Sequence, residues 1–472
     1  MARRPELWAV ASADLEDVIL TGDGSTWHVD LLTALQLATE KRARLLTSQQ
    51  HLIRRLVVEA HRADPDATLA TLAGSPGGLR IASVSWRGQK GWRALDVSGL
   101  YPGRIADTAT ALGLPAPSLH WKEDGADVLE AAALDLATLH ECWTDLLEDV
   151  AGVRPRATIA GTAAAAAIPP RWHRWAQACG RSDEWKAARR SYYGGRVQWW
   201  KERTPPAGED VTVWDVNSLY GSVMLQPLPD PKMYAKPSAG GTCPAWYDVT
   251  VEVSHDPGPL PRRTPGQSWR LQWPTEGCWR GWYTAEDLDR PGVSIVETHD
   301  AVGGRWDDSL AEPVGRWLDM RAATSCQATR RACKLLVNTL AGKLCQRTSR
   351  WILISARDAP GNAHPIHPDF PLFAMPTAVN MRQPFSAPAV GSWVTARARS
   401  VVWPELVAGA HYTDTDSVHR ASDAPPPADV GTAPGQWAIE AQGPAEYHAV
   451  KRYTVGDKTA GIRRKALEWR IS

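Results

Sequence analysis

The chain has 472 residues, 43% hydrophobic and 22% charged, with a formal net charge of +1. That length supports two or three domains, each with its own core, and the even charge excludes a protein that is basic throughout and held to nucleic acid by bulk attraction alone. No run of about 18 apolar residues occurs, so no membrane partner is expected; Asp14 and Glu16 interrupt the first apolar stretch, so no signal peptide is expected either.

Residues 8–12 and 79–86 have strand character, and 31–40, 50–62 and 126–147 have helical period, which predicts mixed α/β structure over the first 155 residues. Ala-rich sequence closing on Pro169-Pro170 marks a boundary. Between Arg171 and Arg203, nine Lys/Arg stand against three Asp/Glu, interleaved with Trp172, Trp175, Trp185, Tyr192, Tyr193, Trp199 and Trp200. Cations and flat rings suit a single-strand channel, and they equally suit an amphipathic helix whose Trp residues are core. The β-rich run 211–214 leads into Asp215, and the segment to residue 309 is punctuated by Pro and Gly like a strand-rich insertion. Residues 310–347 read as helix, 348–390 as loop because of their seven prolines, and helix and strand return at 391–410. Seven scattered cysteines without a C-x-x-C pair argue against zinc or a disulfide framework and for a reducing compartment.

Three segments carry chemistry. In His411-Tyr412-Thr413-Asp414-Thr415-Asp416-Ser417, two carboxylates stand two residues apart. In a strand they would share a face, and such close like charges call for a cation; an Asx-turn at a hairpin tip is the alternative. Asp215 ends an apolar strand, where a carboxylate is held rigidly, and Tyr220 follows five residues on. On the predicted helix, Arg330, Lys334 and Asn338 fall on one face near Ala341, presenting two cations and an amide to a phosphate-bearing ligand; a solvated basic helix face is the alternative.

Asp215-Val216-Asn217-Ser218-Leu219-Tyr220, then Lys334-x-x-x-Asn338-x-x-x-Gly342, then Tyr412-x-Asp414-Thr415-Asp416-Ser417, in that order, resembles motifs A, B and C of family B DNA polymerases. Tyr192-Tyr193-Gly194-Gly195, Lys451-Arg452-Tyr453 and the two insertions make the chain similar to the protein-primed branch of bacteriophages and linear plasmids. The resemblance covers residues 190–465 clearly and implies an α+β multidomain fold: a degenerate RNase H-like 3′–5′ exonuclease domain at 1–160 and a right-hand polymerase domain at 161–472. Within the latter it implies an antiparallel palm at 161–223 and 391–472, a first insert at 224–309, helical fingers at 310–347 and a second insert at 348–390. The thumb is expected to be reduced or absent, with 19 residues after Tyr453.

The resemblance further implies template-directed addition of deoxynucleotides to a primer 3′ hydroxyl or a terminal-protein hydroxyl, with two Mg2+ ions or substituting Mn2+. Asp215, Val216 and Asp416 are the implied metal ligands, with Asp414 as a third catalytic acid. Tyr220, Arg330, Lys334 and Asn338 would bind the dNTP; Tyr192, Gly194, Gly195, Ser218, Gly342, Thr415, Lys451 and Tyr453 would contact DNA. Ala341 stands where the family has a tyrosine, predicting a roomier pocket and lower base selectivity. Asp14, Glu16 and Asp135 are the remnants of the exonuclease acids; the middle motif lacks its acid and Ala131 takes a tyrosine position, so proofreading is not expected. Template, primer, dNTPs and a terminal protein are the implied partners, in the bacterial host cytoplasm near the nucleoid. A template-independent or translesion-like nucleotidyltransferase and a catalytically silent nucleic-acid-binding relic are the alternatives.

Overall fold

The computed structural model describes residues 126–156, 158–172, 182–232, 243–264, 267–346 and 386–461, together with the strands and helices at 6–11, 18–22, 25–29, 44–47, 69–75, 78–85, 93–96, 105–115, 350–355, 363–367 and 370–376 and a few single positions among them. The chain divides into two compact units, one of residues 1–166 with 319–383 and the other of 167–318 with 384–472.

A ten-stranded sheet organises the first unit. Its middle is mixed, with strand Arg44–Thr47 running parallel to both Glu6–Ala11 and Arg93–Asp96. Helix Ala126–Ala151 packs on strands Glu6–Ala11 and Val18–Gly22. It does so through Ala132, Leu136, Leu139, Trp143 and Leu147, a buried stripe at three- and four-residue spacing. Three strands of the sheet come from a distant part of the sequence: Arg350–Ser355, His364–His367 and Phe370–Pro376. The expectation of loop at 348–390 is corrected here. Trp351-Ile352-Leu353-Ile354 is a run that favours a pleated strand, and Pro365 is tolerated because its strand lies at the sheet edge. Helix Gln327–Leu344 packs on helices Ala126–Ala151 and Ile105–Ala111, with Arg331 donating to the carbonyl of Asp107 at 3.2 Å.

The second unit is built on a seven-stranded sheet that is antiparallel throughout, in the order Lys458–Ala460, Arg452–Val455, Trp437–Ala449, Asp210–Val216, Ser417–Ala421, Tyr412–Asp414, Val197–Trp199. Strand alternation gives it two unlike faces. Trp214, Val216 and Val418 turn toward Ala398, Val402, Trp403 and Leu406 of helix Pro388–Val407. That helix is buried nearly all round, as its small and apolar sequence allows. Val211 and Val213 turn the other way, onto Tyr412, Tyr453 and Val455. The insertion contributes a three-stranded sheet, with Ala245–Ser254 between Glu276–Thr284 and Val293–Gly303, in keeping with its strand-like sequence.

In the Arg171–Arg203 segment the core reading holds for four of the rings the structure describes, while Tyr192 and Trp199 are half-buried. Trp172, Trp185, Tyr193 and Trp200 are 2 to 5% exposed and serve as core, so they offer no stacking platform to bases. Trp175 lies outside the described residues.

Candidate active site

Asp215 is the next-to-last residue of strand Asp210–Val216. By alternation it shares the face of Val211 and Val213, and it emerges half-buried where that strand leaves the aromatic layer. The neighbouring hairpin brings the other acids to it. Tyr412–Asp414 pairs with Ser417–Ala421 through a two-residue turn, Thr415-Asp416, and Ser417 stands opposite Asp215 in the register. The amide of Val216 donates to the carbonyl of Asp416 at 2.9 Å. The ladder thus fixes Asp215 and Asp416 on neighbouring chain ends.

The turn corrects the sequence argument about spacing. Asp416 is a turn residue, so the same-face rule for i and i+2 in a strand does not govern the pair. Asp414 faces instead a specific partner: Lys451 Nζ lies 2.6 and 2.7 Å from its two carboxylate oxygens. The Lys451 amide also donates to the Tyr412 hydroxyl at 2.8 Å. This lysine remains the outer partner, with its side chain 62% exposed against 21% for Asp414.

Backbone strain marks the same place. Among the described residues, three that are not glycine have positive φ: Ser218 at 51°, Thr415 at 70° and Lys451 at 61°. All three are predicted site positions, and such conformations survive only where their surroundings impose them. For Thr415 the surroundings are visible. Its amide donates to the Arg196 carbonyl at 2.8 Å, and a Cβ on Gly195 would lie 2.6 Å from its methyl. Gly195 is therefore required by a close approach. Ser218 precedes helix Leu219–Met224, and the Asn217 amide and side chain are tied to Gln436 and Gly431 carbonyls at 2.9 Å.

Tyr220 packs against the helix-side core. Burial raises its hydroxyl above the ordinary tyrosine range, and the charge of Asp416 adds to the effect; the phenol is thus near that carboxylate and neutral. Tyr453 is only 4% exposed and sits among Tyr412, His419 and Tyr447, with ring centroids 4.7 to 5.7 Å away. Its ring is therefore packed in the aromatic layer and not at the surface. Tyr192 is half-buried and its carbonyl accepts from Arg263 at 2.5 Å; Gly194 gives its carbonyl to Arg399 at 3.0 Å.

On helix Gln327–Leu344, Arg330, Lys334, Asn338 and Gly342 form one exposed stripe, four residues apart. Ala341 does not belong to it. At 6% exposure it is part of the buried face with Leu340 and Leu344, so the roomier pocket expected from its small side chain is not an opening on this stripe. Asp135 is half-buried on helix Ala126–Ala151. Nearby on that helix, His140 Nδ1 pairs with the Tyr101 hydroxyl at 2.9 Å, and Trp143 donates to the Leu100 carbonyl at 2.8 Å. Asp14 and Glu16 lie outside the described residues.

Two groups escaped the sequence. Beneath the strands, the Tyr447 hydroxyl joins His411 Nε2 at 3.0 Å and His419 Nδ1 at 2.7 Å. Behind the Tyr-Gly-Gly loop, Arg399 and Asp287 form a buried pair. The signal for the second was faint: Arg399 stands in a helix that is mostly apolar and small, beside Arg397 and Glu405.

Asp215, Asp416 and the Val216 carbonyl make an all-oxygen set, and two carboxylates completed by substrate phosphates and water are how Mg2+ is commonly held. No group of three or more His, Cys, Asp or Glu side chains suited to a metal occurs among the described residues.

Residues 181–356 match the family model for DNA polymerase type B, organellar and viral. Comparison with curated proteins gives no match. Among solved structures, Phi29 DNA polymerase complexed with primer-template DNA superposes with a TM-score of 0.75 at 15% identity, covering 97% of this chain and 89% of that one. Its ternary complex with primer-template DNA and incoming nucleotide gives 0.72 at 14% identity, covering 96% and 87%. Its complex with single-stranded DNA gives 0.71 at 14% identity, over the same shares. With the motif set, the matching segment and this fold together, residues 181–356 are similar to the type B DNA polymerases of organellar and viral kind, and the chain as a whole has the fold of Phi29 DNA polymerase.

Proposed function

We propose that the chain extends a primer strand by template-directed addition of deoxynucleotides, with Asp215 and Asp416 as the metal-holding carboxylates. The observation that carries this is the register: Ser417 opposite Asp215, with the Val216 amide on the Asp416 carbonyl, so that two acids from distant parts of the chain meet at one sheet end. Two divalent cations held there would stabilise the attacking and leaving oxygens of an in-line phosphoryl transfer.

The remaining roles belong to this chain's own side chains. Tyr220, neutral and close to Asp416, stands where the sugar of an incoming nucleotide would lie and rejects a 2′-hydroxyl by its bulk. Lys451, oriented by Asp414, offers its ammonium to the primer backbone. Thr415 and Ser218, held in strained conformations, fix the turns on which the acids sit. The exposed Arg330, Lys334 and Asn338 stripe binds the triphosphate and neutralises charge on departing pyrophosphate. The starting hydroxyl belongs to a primer or a terminal protein, and the reaction takes place in a bacterial host's cytoplasm; no helix among the described residues is long and apolar enough to cross a membrane.

Proofreading is absent on this reading, because Asp135 has no tyrosine four residues before it and two-metal hydrolysis needs its full acid set. Mg2+-dependent 3′ trimming that disappears in Asp135→Ala would overturn that point.

The test is extension of a labelled primer with and without template, comparing the wild type with Asp416→Asn. Template-dependent ladders from the wild type alone are expected. Homopolymer tails without template would indicate a terminal transferase, and DNA binding without synthesis would indicate a silent relic.

A further inference from the structure

Arg399 lies on helix Pro388–Val407 with only 5% of its surface exposed. Its Nη2 donates to both carboxylate oxygens of Asp287, at 2.8 and 2.9 Å, and its Nε adds a contact at 3.3 Å. The third nitrogen does something different. Nη1 reaches two consecutive carbonyls, of Tyr193 at 2.6 Å and Gly194 at 3.0 Å. Asp287 is fully buried in the insertion and takes a further contact from Arg290 at 2.9 Å and the Thr284 hydroxyl at 3.0 Å. Arg290 in turn donates to the carbonyls of Pro259 and Ala396 at 2.9 and 3.0 Å.

The loop that Arg399 grips is the one that supports the acidic turn. Two residues after Gly194, the Arg196 carbonyl receives the Thr415 amide, and Gly195 is in van der Waals reach of the Thr415 side chain. Asp416 is the next residue. Burial alone would push the Asp287 carboxyl up, yet Arg399 and Arg290 outweigh it and hold the group below the ordinary carboxylate range. A buried ion pair that only filled space could be replaced by apolar groups with little loss. Here the planar fork sets the path of two successive peptide units, which a point charge or an apolar chain cannot do.

We propose that Arg399, locked by Asp287, is a positioning residue for nucleotide addition: it fixes the Tyr193–Arg196 loop, and through Gly195 and Thr415 it sets where Asp416 sits. This rests on the polymerase reading of the site. It also makes the placement of a palm carboxylate depend on an insertion residue far from it in sequence.

The experiment compares the full-length wild type with Arg399→Lys, Asp287→Asn, Gly195→Ala and the Arg399→Lys/Gly195→Ala double variant. Arg399→Lys keeps the charge that Asp287 needs and loses the fork. A misplacement on the order of 1 Å at a reacting group costs about 100-fold in rate, so kcat for a single templated nucleotide should fall on the order of 30- to 100-fold, with KM for dNTP within about threefold. Hydrogen exchange without DNA or metal gives the independent readout. The Thr415 amide should exchange at least about tenfold faster in Arg399→Lys and Asp287→Asn, while the amides of strand Asp210–Val216 keep their protection. Gly195→Ala should reproduce the kcat loss, and the double variant should be scarcely worse than either single one, since both act through one loop.

An unchanged kcat in folded Arg399→Lys, an unchanged Thr415 amide, or fully multiplicative losses in the double variant would each overturn the proposal. If the wild type itself extends no primer, the polymerase reading fails, and the exchange data alone decide whether Arg399 positions the turn.

Discussion

Acid should weaken the second unit through the histidines under its seven-stranded sheet, and His411 gives the cleanest measure. It is 1% exposed, its backbone is bonded to His419 and Trp200, and Nε2 pairs with Tyr447. Around it stand His419 and Tyr412, both buried. Burial lowers the imidazole of His411 from 6.5 to about 4. The folded protein therefore refuses a proton that the unfolded chain accepts. Stability is whole above the unfolded value and is lost as pH falls from about 6.5 toward about 4. Linkage puts the loss from this one group at about 2 kcal/mol between pH 7 and pH 5. His419 is driven in the same direction by burial and by the nearby His411 and Lys458, so the whole cluster acts together. Urea unfolding followed by Trp fluorescence at the two pH values, on the wild type and His411→Gln, measures the effect. The variant has lower stability at pH 7 but should lose about 2 kcal/mol less on acidification, because an amide cannot take up the proton. Equal losses in the two proteins would refute the assignment of acid sensitivity to His411.

Three further outcomes are expected. If Asp414 serves chiefly to orient Lys451, then Asp414→Asn and Lys451→Met should each weaken primer use by roughly tenfold and combine with little added loss in a double-mutant cycle, whereas Asp416→Asn should abolish synthesis; full additivity would separate Asp414 from Lys451. Tyr220→Ala should raise incorporation of ribonucleotides relative to deoxynucleotides, measured as the ratio of kcat/KM values, by at least about tenfold, and an unchanged ratio would remove Tyr220 from sugar selection. Ala341→Tyr should lower stability by about 1–3 kcal/mol through overpacking of a buried position, visible as a lower urea midpoint; a variant as stable as the wild type would show that the site has room for a ring.

The motif residues were legible because their chemistry depends on residue type at a fixed spacing. An acid closing an apolar strand, a pair of acids near a hairpin tip and a basic stripe at helical spacing can all be read without a partner in view. What stayed hidden depends on who stands opposite. Spacing alone makes Asp414 and Asp416 look equivalent, and the two-residue turn and the approach of Lys451 give them different surroundings. The burial of Tyr453 follows from His419, Tyr412 and Tyr447, which only the folded sheet brings around it. The strands at 350–376 were masked by proline, which the edge position of strand His364–His367 accommodates. Ala341 was assigned to the stripe by proximity, although one residue of helix rotates a side chain by about 100°, enough to carry it to the buried face. Arg399 gave no motif at all, since its meaning lies in two backbone carbonyls some 200 residues earlier in the chain.

The two units are threaded through each other in sequence, and that has consequences during synthesis. The ten-stranded sheet needs strand Phe370–Pro376 as well as Ser25–Val29, so its edge stays open while more than two thirds of the protein is made. The seven-stranded sheet needs Val197–Trp199 and also Arg452–Val455, so it closes later still. Neither unit can be completed by a ribosome before the other has begun, and unpaired strand edges wait on both sides, which is the situation that favours misassembly. A chain cut between residues 318 and 319 would leave each half with part of both units, so its fragments would have to find one another to finish either sheet.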